Sequence, residues 1–281
     1  MNDTQTLTLR NDYLFKLLLG SEENKACLQD FLECVLDIPA GMIEGLELLD
    51  KELAKDVVTD KTGILDVKIR LNNGTTIDIE IQNSWSLEFI PRTLFYWAKM
   101  YSEDFKEGEP YTSLTKCITI NLVSQGFKLN NQIHSAYRIL EQQSYQQLTE
   151  LLEIHFLNLS LAGQFVIQKG STEKQQKLIN WLQFINTDDK EIRTMLAMTS
   201  PILQMLNEKI DVLSLSPEER KLYESRMKLK SDIATISEVQ FNAGRQEGKL
   251  ETARILKQLG DSVQKIMQAT GLSQAEVEAL N

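Results

Sequence analysis

The feature that most constrains the fold of this chain is a β-hairpin pattern between residues 63 and 82. Two runs rich in Ile, Val, Leu and Thr, at 64–71 and 75–82, flank an Asn-Asn-Gly turn at 72–74. Asn and Gly tolerate the positive φ angles that tight hairpin turns require. Because successive side chains of a strand point to opposite faces, the second run places its isoleucines on one face and its polar residues on the other. The sequence therefore predicts two antiparallel strands with one acidic face.

Two acidic side chains of the hairpin are predicted to converge on that face. Asp66 lies in the first run, Glu80 lies in the second, and paired strands are about 5 Å apart. Lys68 and Gln82 each follow one of these acids by two residues and therefore share its face. Magnesium prefers oxygen ligands and usually retains several waters, so two carboxylates and the backbone carbonyl of Ile81 would meet its needs. The pattern predicts a magnesium site formed by Asp66, Glu80 and Ile81.

Such a site suits the hydrolysis of phosphodiester bonds, which requires an activated water, a Lewis acid and a group that offsets negative charge. Gln82 or Lys68 is the candidate for orienting the water or offsetting that charge. Asp12, on a predicted first helix, is a candidate additional metal ligand. The pattern alone also allows a different interpretation, in which Asp78, Glu80 and Gln82 form the solvated face of an edge strand.

Hydrophobic periodicity predicts the other elements of the chain. Helices are predicted at 12–19, 24–36 and 87–105, and strands at 117–123, 133–140 and 151–159, the first of them central in the sheet. From residue 172 onward the pattern is helical. A long helix is predicted from Pro217 to about Asn242, because proline is favoured at the first helical position. Three glycines, Gly244, Gly248 and Gly260, are expected to interrupt the tail before a short helix at 270–280.

Composition predicts a folded chain outside the membrane. Of 281 residues, 42% are hydrophobic and 25% are charged, which is close to average globular usage. No apolar run approaches the roughly 20 residues of a spanning helix, and no leader peptide is recognised. The three cysteines lack metal-ligand spacing and suit a reducing cytoplasm. The net charge is -10, which argues against a generic nucleic-acid binder, but the excess acid lies in residues 1–112, around the predicted metal site.

Four stretches of the chain, in order, resemble the motifs of the bacterial PD-(D/E)xK nuclease family transposases, also called recombination-promoting nucleases. Residues 12–16, Asp-Tyr-Leu-Phe-Lys, resemble the opening helix of the family, and 64–68 and 79–82 resemble its two catalytic strands. Residues 92–111 resemble an Arg-x-x-x-Tyr helix followed by a Gly-Glu-x-Tyr loop. The resemblance covers roughly residues 9–165, and the tail at 244–280 also resembles the ending of the family.

The resemblance implies an α/β fold with a restriction-endonuclease-like core, a mixed central sheet flanked by helices, followed by an α-helical C-terminal extension. We therefore expect a nuclease-like domain at 1–170 and a helical region at 171–281. The resemblance implies cleavage of DNA with magnesium, or with manganese in its place, and an association with recombination or mobile elements. The wider superfamily usually has lysine two residues after the second acid, where this chain has Gln82, so Lys68 is expected to share that task.

Two other functions are compatible with the sequence. The missing lysine after Glu80 suggests a catalytically inactive relative that binds DNA or a protein. The acidic balance and helical tail suggest a helical interaction protein. The spacing of Ala253, Leu256 and Leu259 gives the hypothesis that this tail pairs with a second copy of the chain.

Several other residues have both a functional and a structural interpretation. Arg92 and Tyr96 lie one helical turn apart and could approach a phosphate, or Arg92 could cover an aromatic ring. The two histidines, His134 and His155, are too few for a histidine-based site and are expected in strands or at the surface. A basic cluster could contact phosphates or form a solvated helix face; it comprises Arg220, Lys221, Arg226, Lys228 and Lys230.

Overall fold

The computed structural model describes residues 7–49, 66–82, 84–86, 88–165, 171–213 and 215–280. Two compact units make up the chain, Met1–Arg226 and Met227–Asn281. None of the described helices has an apolar stretch that could span a lipid bilayer. The described helices are α1 (Asp12–Leu19), α2 (Lys25–Val35), α3 (Phe89–Ser102), α4 (Leu159–Gln164), α5 (Glu173–Asn186), α6 (Lys190–Ala197), α7 (Pro201–Val212), α8 (Pro217–Gln258), α9 (Val263–Thr270) and α10 (Gln274–Glu278).

The first unit is built on a mixed sheet, which in the described residues has six strands in the order β1-β2-β3-β4-β6-β5. Strands β3 and β4 pair in parallel, as do β4 and β6, whereas the outer pairs are antiparallel. The predicted mixed sheet with flanking helices is confirmed. The strands are β1 (Leu46–Leu48), β2 (Val67–Leu71), β3 (Thr76–Gln82), β4 (Cys117–Val123), β5 (His134–Tyr137) and β6 (Leu152–Asn158).

The predicted hairpin is confirmed in β2 and β3, while the predicted strand residues 63–65 lie outside the described ranges. Gly74 adopts a φ of 83°, which is the left-handed conformation that its turn requires. Val67 pairs with Ile79 and Lys68 pairs with Asp78. This register places the residue before the strand, Asp66, beside Glu80, as the convergence of the two acids requires.

The acidic face of the hairpin is covered by helix α3. The parallel register places Asn121 of β4 beside Glu80, and the hydroxyl of Thr93 on α3 donates to the Asn121 side chain at 3.2 Å. The indole of Trp97, one turn along α3, donates to the Cys117 carbonyl at 3.0 Å. Strand β3 is an interior strand under a helix. The interpretation of its polar face as a solvated edge is therefore wrong.

The first helix and helices α5, α6 and α7 belong to the same compact unit as the sheet. Helix α1 has the predicted bounds, and the side chain of Asn11 caps it by accepting from two backbone N–H groups. On α5, the ring of Trp181 packs against Phe31 of α2, and its indole N–H donates to Asp30 at 2.8 Å. The predicted domain boundary near residue 170 stays a prediction, but the packing around the sheet continues beyond it.

The C-terminal unit differs from the predicted tail in two places. Helix α8 continues through Gly244 and Gly248 instead of ending near Asn242. A glycine costs an interior helix position about 1 kcal/mol relative to alanine, which its many helix-forming neighbours offset. The predicted short helix at 270–280 is α10, which is shorter than expected, and it is preceded by a helix that the sequence analysis did not predict, α9, which ends at Gly271 with a φ of 68°.

A hydrophobic cluster holds the last part of α8 together with α9 and α10. Ala253 is fully buried in this cluster and Leu256 packs against it. Leu259 is 74% exposed. Two of the three residues behind the self-association hypothesis therefore pack within one chain, and the pairing of two copies stays a hypothesis.

We predict that Tyr223→Phe lowers the free energy of unfolding by about 1–2 kcal/mol, because it leaves a buried donor without a partner. Tyr223, at the start of α8, is 1% exposed, and its hydroxyl accepts from the backbone N–H of Thr8 at 3.1 Å. Urea unfolding measures the change. Tyr111→Phe is the matched control because Tyr111 is 81% exposed. Equal stability of the two variants would contradict the role of this bond.

Candidate active site

Asp66 lies at the start of the hairpin and is held by strand β3 through its side chain. One carboxylate oxygen, Oδ2, accepts from the backbone N–H of Ile81 at 2.8 Å. The backbone N–H of Asp66 donates to Oε1 of Glu80 at 3.2 Å. These bonds take the place of a strand ladder, and β2 therefore begins one residue later, at Val67. Asp66 was expected within the first strand, but it lies one residue before the start of that strand.

Glu80 lies in the middle of β3, next to Asp66. Each of the two acids is 6% exposed. The second carboxylate oxygen of Glu80, Oε2, accepts from the side-chain amide of Gln82 at 3.3 Å. Gln82 ends β3 and is half-buried. The structure thus brings Asp66, Glu80 and Gln82 together, along with the peptide N–H of Ile81.

Lys68 shares the face of these acids but is held by another group. Its ammonium forms an ion pair with Glu103, just beyond α3, and the lysine is 4% exposed. Across the hairpin it faces Asp78. The expectation that Lys68 shares the task of the missing lysine stays a prediction, and the structure argues against it because the charge of Lys68 is already paired with Glu103.

Two charged residues that the sequence analysis did not assign to the site belong to it. Asp78 is 1% exposed and lies between Lys68 on β2 and Thr119 on β4. Lys16 of α1 places its ammonium 2.7 Å from Oδ1 of Asp66. The signals were present in the sequence, because Asp78 alternates in phase with Glu80, and Lys16 lies one helical turn after Asp12.

Asp12 and Arg92 approach the two acids from different helices. Asp12 pairs with Arg226 at 3.4 Å, and its negative charge contributes to raising the pKa of Asp66. The positive charge of Arg92 on α3 lowers the pKa of Glu80. The Arg92 guanidinium also lies 5.3 Å from the ring centre of Phe89, as the structural interpretation expects, and its contact with a phosphate stays a prediction.

Burial is the main reason why these acids ionise with difficulty. The pKa of Glu80 is raised to about 8, chiefly by burial and then by the charge of Asp66, against the opposing effects of Arg92 and Lys16. Burial raises the pKa of Asp66 as well, while Lys16 lowers it. Burial and the charges of Glu80 and Asp66 raise the pKa of Asp78 well above its usual range. These acids therefore keep their protons to a higher pH than exposed carboxyl groups do.

The two histidines lie in strands, as the sequence predicts. His134 of β5 and His155 of β6 contact each other, with 2.8 Å between Nε2 and Nδ1, and the ring of His155 bonds to Glu153 at 3.1 Å. Register places them on the opposite face of the sheet, the face of Ile79 and Ile120. They contribute nothing to the carboxylate cluster.

The donor set fits a hard divalent cation. Among the described residues, no group of three or more His, Cys, Asp or Glu side chains is arranged to hold a metal ion. Two carboxylates nevertheless converge, which suits an ion that retains several waters. Beside them, within the described part of the chain, the buried Oδ1 of Asp78 and Oγ1 of Thr119 have no hydrogen-bond partner. A cation would relieve the repulsion among these acids.

A mixed sheet flanked by helices, with an aspartate and a glutamate joined across a hairpin, is consistent with the PD-(D/E)XK nuclease fold. The chain belongs to the PD-(D/E)XK nuclease family transposases, whose sequence model matches residues 9–239. Comparisons with curated proteins and with solved structures gave no match. The family supports a nuclease-like or mobile-element function, with DNA as the substrate and a divalent metal as the usual cofactor.

We predict that Glu80→Gln stabilises the metal-free protein at pH 8. The pKa of Glu80 is about 8 in the folded chain against an ordinary value of 4.5. The unfolded chain therefore loses this proton first, and the free energy of unfolding falls as pH rises from 4.5 to 8. Glutamine does not titrate, so the variant avoids this loss.

Thermal unfolding in the presence of a chelator should give Glu80→Gln a melting temperature at least about 2–4 °C above the parent at pH 8. The difference should shrink at pH 5. Glu107→Gln, at an exposed position, is the control and should show no such pH dependence. If Glu80→Gln is less stable than the parent at pH 8, the raised pKa of the buried Glu80 carboxyl group is contradicted.

Proposed function

We propose that this protein is a metal-dependent DNA endonuclease that hydrolyses phosphodiester bonds in recombination or in the life of a mobile element. The observation that carries the proposal is the contact between two buried acidic residues, in which the backbone N–H of Asp66 donates to the Glu80 carboxylate at 3.2 Å. Burying two acids together is unfavourable unless a cation offsets their charge. A stable fold that retains such a pair is best explained by a metal-binding function.

Magnesium is the proposed ion, with manganese in its place as an alternative. Asp66 and Glu80 would hold it, with the Ile81 carbonyl and Asp12 as the further proposed ligands. When bound, the ion supplies a Lewis acid and a water of lowered pKa. The side-chain amide of Gln82, already donating to Glu80, is proposed to orient the attacking water.

The proposed DNA contacts are made by the basic cluster and not by the acidic face of the hairpin. In the basic cluster, Arg220, Lys221, Arg226 and Lys228 are exposed, while the side chain of Lys230 lies outside the described residues. Arg226 pairs with Asp12, which ties this end of α8 to the carboxylate site. Positive groups at that position would bind phosphates and lose affinity as salt increases.

Three further parts of the proposal rest on the sequence. We propose that residues 1–170 form the nuclease-like domain and 171–281 a helical region, and that the protein acts in the cytoplasm. Pairing of two copies through the tail is retained as a hypothesis. A catalytically inactive relative that binds DNA or a protein is the second candidate, because Gln82 is neutral and the charge of Lys68 is paired with Glu103.

We predict that Asp66→Asn and Glu80→Gln each reduce the nicking of supercoiled plasmid in magnesium by more than about 100-fold, because each removes one metal-binding charge. Agarose gels over a time course measure the loss. The Glu107→Gln variant should cleave like the parent, since Glu107 is exposed and outside the site.

The same assay separates the two candidate functions. Unimpaired nicking by both acid variants would show that the wrong residues have been assigned. A parent that retains DNA in a gel-shift assay, yet cleaves it with neither magnesium nor manganese, would favour the inactive relative.

A further inference from the structure

Three residues could take the place of the lysine that the superfamily usually has after the second acid, and the structure distinguishes them. Gln82, at the position where the superfamily usually has lysine, is a neutral amide that donates to Glu80. Lys68 is 4% exposed and paired with Glu103. Lys16 is the lysine whose ammonium contacts one of the two converging acids, 2.7 Å from Oδ1 of Asp66.

On this basis we infer that Lys16 supplies the ammonium group that faces the scissile phosphate, and that in the metal-free protein the same group neutralises Asp66. The inference rests on the proposed nuclease function. It assigns the missing lysine to the opening helix α1 instead of the hairpin strands. The consequence is that Lys16 and a divalent cation compete for one carboxylate.

The surroundings of Lys16 support both parts of this inference. Its backbone belongs to a rigid helix, because Asn11 caps α1 and in turn donates to the Tyr223 carbonyl at 3.1 Å. Its side chain has a flexible four-carbon stem and is 24% exposed. The ammonium can therefore leave Asp66 without any movement of the helix. Lys68, by contrast, is enclosed between the sheet and α3.

The electrostatics of the cluster point to the same residue. The charge of Lys16 lowers the pKa of Asp66, of Glu80 and of Asp78, so it acts on the whole group of acids. A divalent ion would replace that compensation, because it brings two charges to the same oxygens. The ammonium is then available for the negative charge that develops on the phosphate.

The proposed role of Lys16 requires no transfer of a proton to or from its ammonium group. The oxygen of water forms the new bond to phosphorus while the bond from phosphorus to the leaving oxygen breaks. The proton that the attacking water releases is balanced by the proton that the leaving oxygen takes up. The contribution of Lys16 is therefore electrostatic, and it should depend on charge and reach and not on exchange of a proton.

The test separates ion binding from cleavage by measuring both in the full chain. Manganese chloride is titrated without DNA in a calorimeter, and single-turnover nicking of plasmid is measured at saturating manganese. The variants are Lys16→Gln, which removes the charge, and Lys16→Arg, which keeps it. Lys25→Gln is the control, because Lys25 lies on α2 and pairs with Glu22 at the surface.

We expect Lys16→Gln to bind manganese about threefold more tightly or better, because a competing cation is gone, and to nick DNA about 100-fold more slowly. Lys16→Arg should bind manganese like the parent and should nick DNA at least about tenfold faster than Lys16→Gln. Lys68→Gln is compared as the rival assignment and should lose less activity than Lys16→Gln. Thermal unfolding verifies that each variant is folded.

Nicking by Lys16→Gln within threefold of the parent rate would overturn the inference, and so would a larger loss in Lys68→Gln. Weaker manganese binding together with slower nicking would overturn it too, because that pattern describes a residue that only supports the fold of the site. A parent that binds manganese but leaves DNA intact would refute the proposed function and the phosphate role of Lys16 together. If the parent and Lys16→Gln both cleave DNA, the inference about Lys16 is refuted while the proposed function stands.

Discussion

The structure of the site depends on an exchange of hydrogen bonds between Asp66 and strand β3. The backbone of Asp66 donates to the side chain of Glu80, and the side chain of Asp66 accepts from the backbone of Ile81. Each acid therefore fixes the other in place before any ligand binds. Because the exchange replaces ordinary strand pairing, the geometry of the acids and the register of the hairpin are specified by the same few atoms.

The sequence was sufficient for the hairpin and for the acid pair, because both follow from local rules. Alternation decides which residues share a face, and the glycine of the turn sets the register that brings Asp66 to Glu80. The limits of α1 and β4 were equally predictable, since an asparagine precedes the helix in the capping position and strand β4 is mostly apolar. Features of this kind can be predicted from the order of neighbouring residues alone.

Other features depend on contacts between segments that are distant in sequence. Asp78 is buried because β3 is an interior strand of the sheet, and Lys68 is engaged because Glu103 lies just beyond the end of α3. The approach of Lys16 to Asp66 spans fifty residues and has no periodic signal. The continuation of α8 through two glycines is a balance of many small helix propensities, which a rule about single residues does not capture.

The bond between Tyr223 and Thr8 bears on where the shortest autonomous fragment of this protein ends. Tyr223 is buried at the start of α8 and joins the segment that leads into α1, while Asn11 donates to its carbonyl. Helix α1 carries both Asp12 and Lys16, so a distant stretch of chain anchors two groups of the site. A truncation that retains every strand of the sheet but stops before residue 223 would keep Asp66 and Glu80. It would remove the contacts that anchor helix α1 beside them.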